Sequence, residues 1–181
     1  MNHRYRIELR QRDVTGLNAR HYFWVKKRVL PDGTTEYLEE MHGFPTDRRT
    51  GKPLSSSIGG DPLKFHHRNR QSHHYKKSIS LPYVVAFEGD KEDVDWRWNA
   101  GVEMGNFMNK TRTEYTPLRD NSNAMATTLG AAMGLRPHKV LDKRVGGEAV
   151  QPLAPGLGND LDRVAFGPDR KLIRPKCVNP I

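Results

Sequence analysis

Residues 4–10 (RYRIELR) alternate charged side chains with Tyr5, Ile7 and Leu9, the two-residue period of a strand with one buried face. His21 to Leu30 (HYFWVKKRVL) is rich in aromatic and β-branched residues, and Pro31-Asp32-Gly33 separates it from TTEYLEEM. Two such runs around a Pro-Asp-Gly turn predict a β-hairpin. Between Gly43 and Lys77 regular patterning disappears: FPTDRRTGKPLSSSIGGDP has the Gly, Pro and Ser content of a long loop, and KFHHRNRQSHHYKK is a charged continuation of it. The apolar run Ile79 to Phe87 resumes as a strand, and Pro82 near its start predicts an edge position or late pairing.

Helical periods follow. From Glu92 to Lys110, Val94, Trp98, Val102, Gly105 and Phe107-Met108 recur at intervals near three and four, which predicts an amphipathic helix. Trp96 and Trp98 flank Arg97 and cannot share one of its faces, so one belongs to the core and the other to a groove. A second helix is expected from Asn121, with Met125, Thr128, Leu129, Ala132 and Met133 as its stripe, Gly134 as its C-terminal cap and Pro137 beyond. Half of the chain's twelve prolines fall in residues 136–181, which predicts an irregular tail wrapping a single domain with its core at about residues 4–135. The expected fold class is α+β, a small antiparallel sheet packed against two helices.

With 181 residues, one core can form without disulfides or a structural metal. The single cysteine, Cys177, excludes an intramolecular disulfide and zinc sites built on several thiolates. No cofactor is expected: phosphate-binding glycine loops, HExxH pairs and EF-hand loops do not occur. The N-terminus lacks a secretory apolar stretch and no run of 18 apolar residues occurs, so the expectation is a chain made in the cytosol that spans no membrane.

Lys and Arg number 30 against 21 Asp and Glu, a net charge of +9, which favours polyanionic partners. The segment 64–77 concentrates that charge in Lys64, Arg68, Arg70, Lys76 and Lys77, with Tyr75 available for stacking and no acid. One functional reading is therefore a non-catalytic protein that grips nucleic acid or another anionic polymer through this segment. The pairs His66-His67 and His73-His74 lack a neighbouring carboxylate or thiol, and no metal site is assigned to them.

The other reading begins at LRDNSNAMATTLGAAMGL. Asn121, Ser122 and Asn123 are helix N-cap types, and a nucleophile at that position gains from the helix dipole and from backbone N–H groups that can hold an oxyanion. His21 opens the most apolar strand, where a neutral imidazole could take a hydroxyl proton. The two lie 101 residues apart in sequence, so the pair works only if strand and helix meet. A histidine nuclease centre is a third possibility, one that would not need Ser122.

The order of His21 at a strand head, a hairpin ending in Gly43-Phe44-Pro45, a Trp-containing helix, Tyr115 before Asn121-Ser122-Asn123, and Pro155 to Leu161 resembles the circularly permuted papain-like hydrolases. These are similar to NlpC-type peptidases and lecithin:retinol acyltransferase-like proteins and include secreted bacterial effectors and toxins. The resemblance spans about residues 18–161. It implies Ser122 as nucleophile where the family has cysteine, His21 as base, and an orienting group from the adjacent strand, for which Glu36, Glu40 and His42 are candidates that strand parity places on one face. It also implies amide or ester substrates of peptide, lipid or cell-wall origin, peptidoglycan peptides foremost, and an immunity protein or secretion-machine carrier as partner.

Overall fold

The computed structural model describes residues 3–14, 20–55, 57, 59–69, 81–111, 113–117, 121–137 and 140. The strands are β1 (Arg4–Asp13), β2 (Arg20–Val29), β3 (Thr35–Pro45), β4 (Leu63–Asn69) and β5 (Tyr83–Gly89); the helices are α1 (Lys91–Met108) and α2 (Ser122–Ala132). The strands form one antiparallel sheet in the order β4-β3-β2-β1-β5. The chain is thus an α+β fold, and Pro82 precedes an edge strand, its carbonyl accepting from Gln11 N at 3.2 Å.

Both helices pack on one face. Tyr5, Ile7 and Leu9 of β1, Tyr22 and Trp24 of β2, and Leu63 and Phe65 of β4 form a single buried cluster with residues of α1 and α2. Trp98 is fully buried at its centre and Trp96 is 47% exposed, which settles the division between the two tryptophans. A polar network ties α1 to the sheet: Lys26 pairs with Glu39 and with Asp95 (3.1 Å), and the Trp98 indole N–H donates to Glu39 at 3.0 Å. The stripe expected of α2 is too narrow, because Ser122 through Gly130 are all buried; a helix buried all round is wedged into a fold rather than laid on it.

Two other expectations are corrected. The stretch 43–77 is not one long loop: β3 continues through Gly43-Phe44-Pro45, and Leu63–Asn69 is an edge strand paired to it from Pro45↔Leu63 to Glu39↔Asn69. Nor is only one face of β1 buried. Glu8 and Arg10, on the face away from the helices, are fully buried. They are kept there by mutual pairing: the Glu8 carboxylate meets Arg6 at 2.6 Å, Arg10 at 2.6 Å and Lys27 at 3.7 Å, the arrangement a buried charge requires. On this face Phe23, Val25 and Tyr37 form a second small apolar cluster. The segment 70–80 and the tail 141–181, with Cys177 in it, lie outside the described residues.

Glycine is required where α2 meets β3. A Cβ on Gly43 would stand 2.5 Å from Met125 Cβ, closer than packed carbons approach. Gly43→Ala should therefore force helix and strand apart and lower unfolding stability by about 1–3 kcal/mol, whereas Gly33→Ala, with nothing within 4 Å of its Cβ, should show only the smaller strain of a positive φ; paired urea titrations compare the two.

Candidate active site

The start of α2 is docked against the strand segment that carries His21. The β2–β3 ladder ends at Trp24↔Met41, and beyond it the side chain of Asn123 replaces the missing partner strand. Its Oδ1 accepts from Tyr22 N at 2.9 Å and its Nδ2 donates to Arg20 O at 2.8 Å, so one carboxamide bonds the residues on either side of His21. Further along α2, the Trp24 indole N–H donates to Ala126 O at 2.8 Å. Ser122 also borders β3: its Cα is 3.4 Å from where a Cβ on Gly43 would lie.

Capping does not occupy the Ser122 hydroxyl. Asn121 is the N-cap, its Oδ1 accepting from Asn123 N at 2.9 Å and Ala124 N at 3.2 Å. Those two N–H groups are thereby consumed, and the N–H of Ser122 itself is the helix-start donor with no acceptor among the described residues. Among these residues no hydrogen bond joins the Ser122 hydroxyl to His21. The His21 ring stacks with Phe23, His42 and Phe44 on the sheet face away from the helices, while the alternating Tyr22 and Trp24 face α2.

Behind His21 runs a line of close polar contacts, in which His42 and Glu40 meet as an ion-pair approach without hydrogen-bond alignment. His21 Nε2 lies 3.1 Å from His42 Nδ1, His42 Nε2 lies 3.1 Å from Glu40 Oε1, and the Tyr37 hydroxyl donates to Glu40 Oε2. The proton positions follow from the acceptor-only end. An ionised carboxylate 3.1 Å away favours the His42 tautomer with its proton on Nε2; Nδ1 of His42 is then an acceptor, and His21 donates from Nε2. The lone pair of His21 is left on Nδ1, the atom away from His42. Phe44 holds both rings, with centroids 5.0 Å from each at small interplanar angles.

Electrostatics keep the base neutral. Burial pushes His21 well below its usual 6.5, aided by His42 and the positive charges of Arg12 and Arg68. Burial also lowers His42, outweighing the opposing pull of Glu40, and brings His66 to about 4. Burial alone would raise Glu40; the approach of His42, the Tyr37 hydroxyl and the charge of Arg68 instead hold it at about 2.

Of the three candidate orienting residues, the structure brings His42 to His21 and Glu40 to His42. Glu36 is elsewhere, paired with Arg28. Parity fails here because the β2–β3 register shifts between Lys26 and Lys27, with Glu39 and Tyr37 as successive partners. Leu38 is a surplus residue, so Tyr37 shares a face with Glu40 and Glu36 is turned to the other. Tyr37 was not anticipated; an aromatic residue three before the acid was its only signal.

The described residues of the basic segment turn to different partners. Lys64 donates to Asn109 O at 2.7 Å, His67 meets Glu39 at 2.6 Å, and Arg68 reaches toward Glu40; Arg70, Tyr75, Lys76 and Lys77 lie outside the described residues. A cleft of about 560 Å³ lined by Lys26, Glu39, His67, Lys91 and Asp95 does not include the His21 group. No group of three or more His, Cys, Asp or Glu side chains among the described residues is arranged to hold a metal ion, and no described helix is long and apolar enough to cross a membrane.

No family model, curated protein or solved structure matches this chain. Its own geometry therefore carries the functional argument.

The lowered histidines and carboxylates act on stability in the same direction. The unfolded chain binds protons at His21, His42 and His66 from about pH 6.5 downward while the folded chain resists them, so stability is lost as pH falls below that value. Glu40 and Glu39, both held at about 2 against an ordinary 4.5, continue the loss from there toward pH 2. Denaturant midpoints measured from pH 8 to 3 should be level above about 7 and decline on acidification; a midpoint that rises between pH 6.5 and 4.5 would contradict the neutral buried histidines.

Proposed function

We propose that this chain is a hydrolase or acyl-transfer enzyme in which Ser122 attacks an amide or ester carbonyl, following the plan of the circularly permuted papain-like proteins. The observation that carries the reading is the bracket formed by Asn123 around His21. It fixes the N-terminal turn of α2 to the backbone on either side of His21, a residue whose ring meets a second histidine and, through it, a carboxylate.

His21 Nδ1 takes the Ser122 proton as the Oγ–carbonyl bond forms. The resulting imidazolium donates from Nε2 toward His42, and the fixed negative charge of Glu40 stabilises it from behind without itself becoming protonated. The tetrahedral oxyanion is met by the Ser122 N–H and the positive end of the α2 dipole. His21 then returns the proton to the leaving group. Water completes a hydrolysis and an acceptor alcohol or amine completes a transfer. Peptidoglycan peptides are the favoured substrate and a secreted effector or toxin role the favoured setting, both on the ground of the resemblance; an immunity protein would be the matching partner.

The decision between this reading and a polyanion-binding scaffold rests on Ser122. A fluorophosphonate probe should label Ser122, and Ser122→Ala and His21→Ala should each lower hydrolysis of activated esters about a thousandfold or more while circular dichroism stays unchanged. Ser122→Cys should be alkylated by iodoacetamide faster than Cys177 in the same chain. Full ester hydrolysis by folded Ser122→Ala protein, or no labelling of folded wild type, overturns the mechanism.

A further inference from the structure

Two guanidinium groups stand near the His21 centre. Arg12 lies directly opposite His21 in the β1–β2 register, and Arg68 is opposite Glu40 in the β3–β4 register. Both reach back to the same ring: Arg12 Cζ is 5.2 Å and Arg68 Cζ 5.3 Å from the Phe44 centroid, and that ring is itself 5.0 Å from both imidazoles.

Neither cation has a close acceptor. Arg12 reaches solvent although its guanidinium is partly enclosed, and it makes no hydrogen bond or ion pair among the described residues. Arg68 is 3.7 Å from Glu40 Oε1, beyond hydrogen-bond reach, and Glu40 already serves His42 and Tyr37. With His21 and His42 neutral, the group has two positive charges against one negative. The mutual repulsion is felt, since the charge of Arg68 adds to burial in lowering Arg12. Two forked donors gathered on one aromatic ring, with the single charge of Glu40 shared between them, have the character of a receptor for a bidentate oxyanion.

We propose that Arg12 and Arg68 form an anion subsite beside His21, on the face of the sheet away from the helices, so that the substrate carries a carboxylate or phosphate group. The Phe44 ring is its floor, with both guanidinium carbons within 5.3 Å of its centroid. The subsite gives the active centre a substrate class, acyl compounds with a neighbouring negative charge, and in that respect it rests on the hydrolase reading. The anion would also screen the two cations from His21 and raise its basicity when the correct substrate is bound.

Two measurements separate the subsite from the chemistry. In the first, kcat/KM is compared for the p-nitrophenyl monoester of glutaric acid and for p-nitrophenyl butyrate. Wild type should favour the anionic ester by on the order of tenfold or more, and Arg12→Gln should bring that ratio toward one, chiefly through KM. In the second, Ser122→Ala protein is titrated with glutarate and with inorganic phosphate by calorimetry. Binding of at least one is expected, weakened about tenfold by adding Arg12→Gln or Arg68→Gln, and the tighter of the two distinguishes carboxylate from phosphate.

If neither anion binds, or if both arginine variants bind as the parent does, the subsite is refuted whatever the esterase activity. If the anions bind in an arginine-dependent way while no ester is hydrolysed, the subsite stands and the catalytic reading of Ser122 falls.

Discussion

The arrangement around His21 depends on a carboxamide doing the work of a strand. Past Trp24 and Met41 the ladder between β2 and β3 stops, and the backbone of Arg20 and Tyr22 would be left with a buried acceptor and donor. An unpaired buried group of that kind costs about 1–3 kcal/mol. Asn123 satisfies both with one planar side chain that presents donor and acceptor together, as a neighbouring peptide would. Because the bonds come from the second residue of a helix, they fix the axial position and the rotation of that helix. Asn121 completes the device by capping, so the cap does not draw on the serine between the two asparagines.

The face of the sheet away from the helices follows a different logic from the core. Its charges are buried in groups, each carboxylate shared: Glu8 among Arg6, Arg10 and Lys27, and Glu40 among His42, Tyr37 and Arg68. Low dielectric makes such groups costly when incomplete and strongly ordered when complete. That ordering determines which nitrogen of each imidazole carries the proton. The same burial that would penalise a charged histidine keeps His21 in its basic form.

Much of the framework was legible in the chain. The alternation of Tyr5, Ile7 and Leu9, the hairpin around Pro31-Asp32-Gly33, the helix through Trp98 and the Asn121 cap with Gly134 at the far end, where φ is +72°, each express a local rule. β4 escaped notice because only Leu63 and Phe65 are apolar in KFHHRN and its left flank, too few for a period to stand out. The burial of Glu8 and Arg10 was illegible for a different reason: a charged residue in a strand reads as solvated unless its partners, which come from other strands, are known. In the site, types were readable and connections were not. His42 and Glu40 were among three candidates, and the choice between them and Glu36 turned on a register shift that no side chain announces.

That shift leaves a mark of its own. A regular strand sorts its residues by twos, yet the phenol of Tyr37 and the carboxylate of Glu40 meet across an interval of three because Leu38 is accommodated as an extra step. Chains built on the same plan would accordingly be recognised by an aromatic residue, two arbitrary positions, an acid, one arbitrary position and a histidine on the second arm of the hairpin. A comb of alternating acids would align that arm one residue out of place and match the wrong carboxylate to the imidazole.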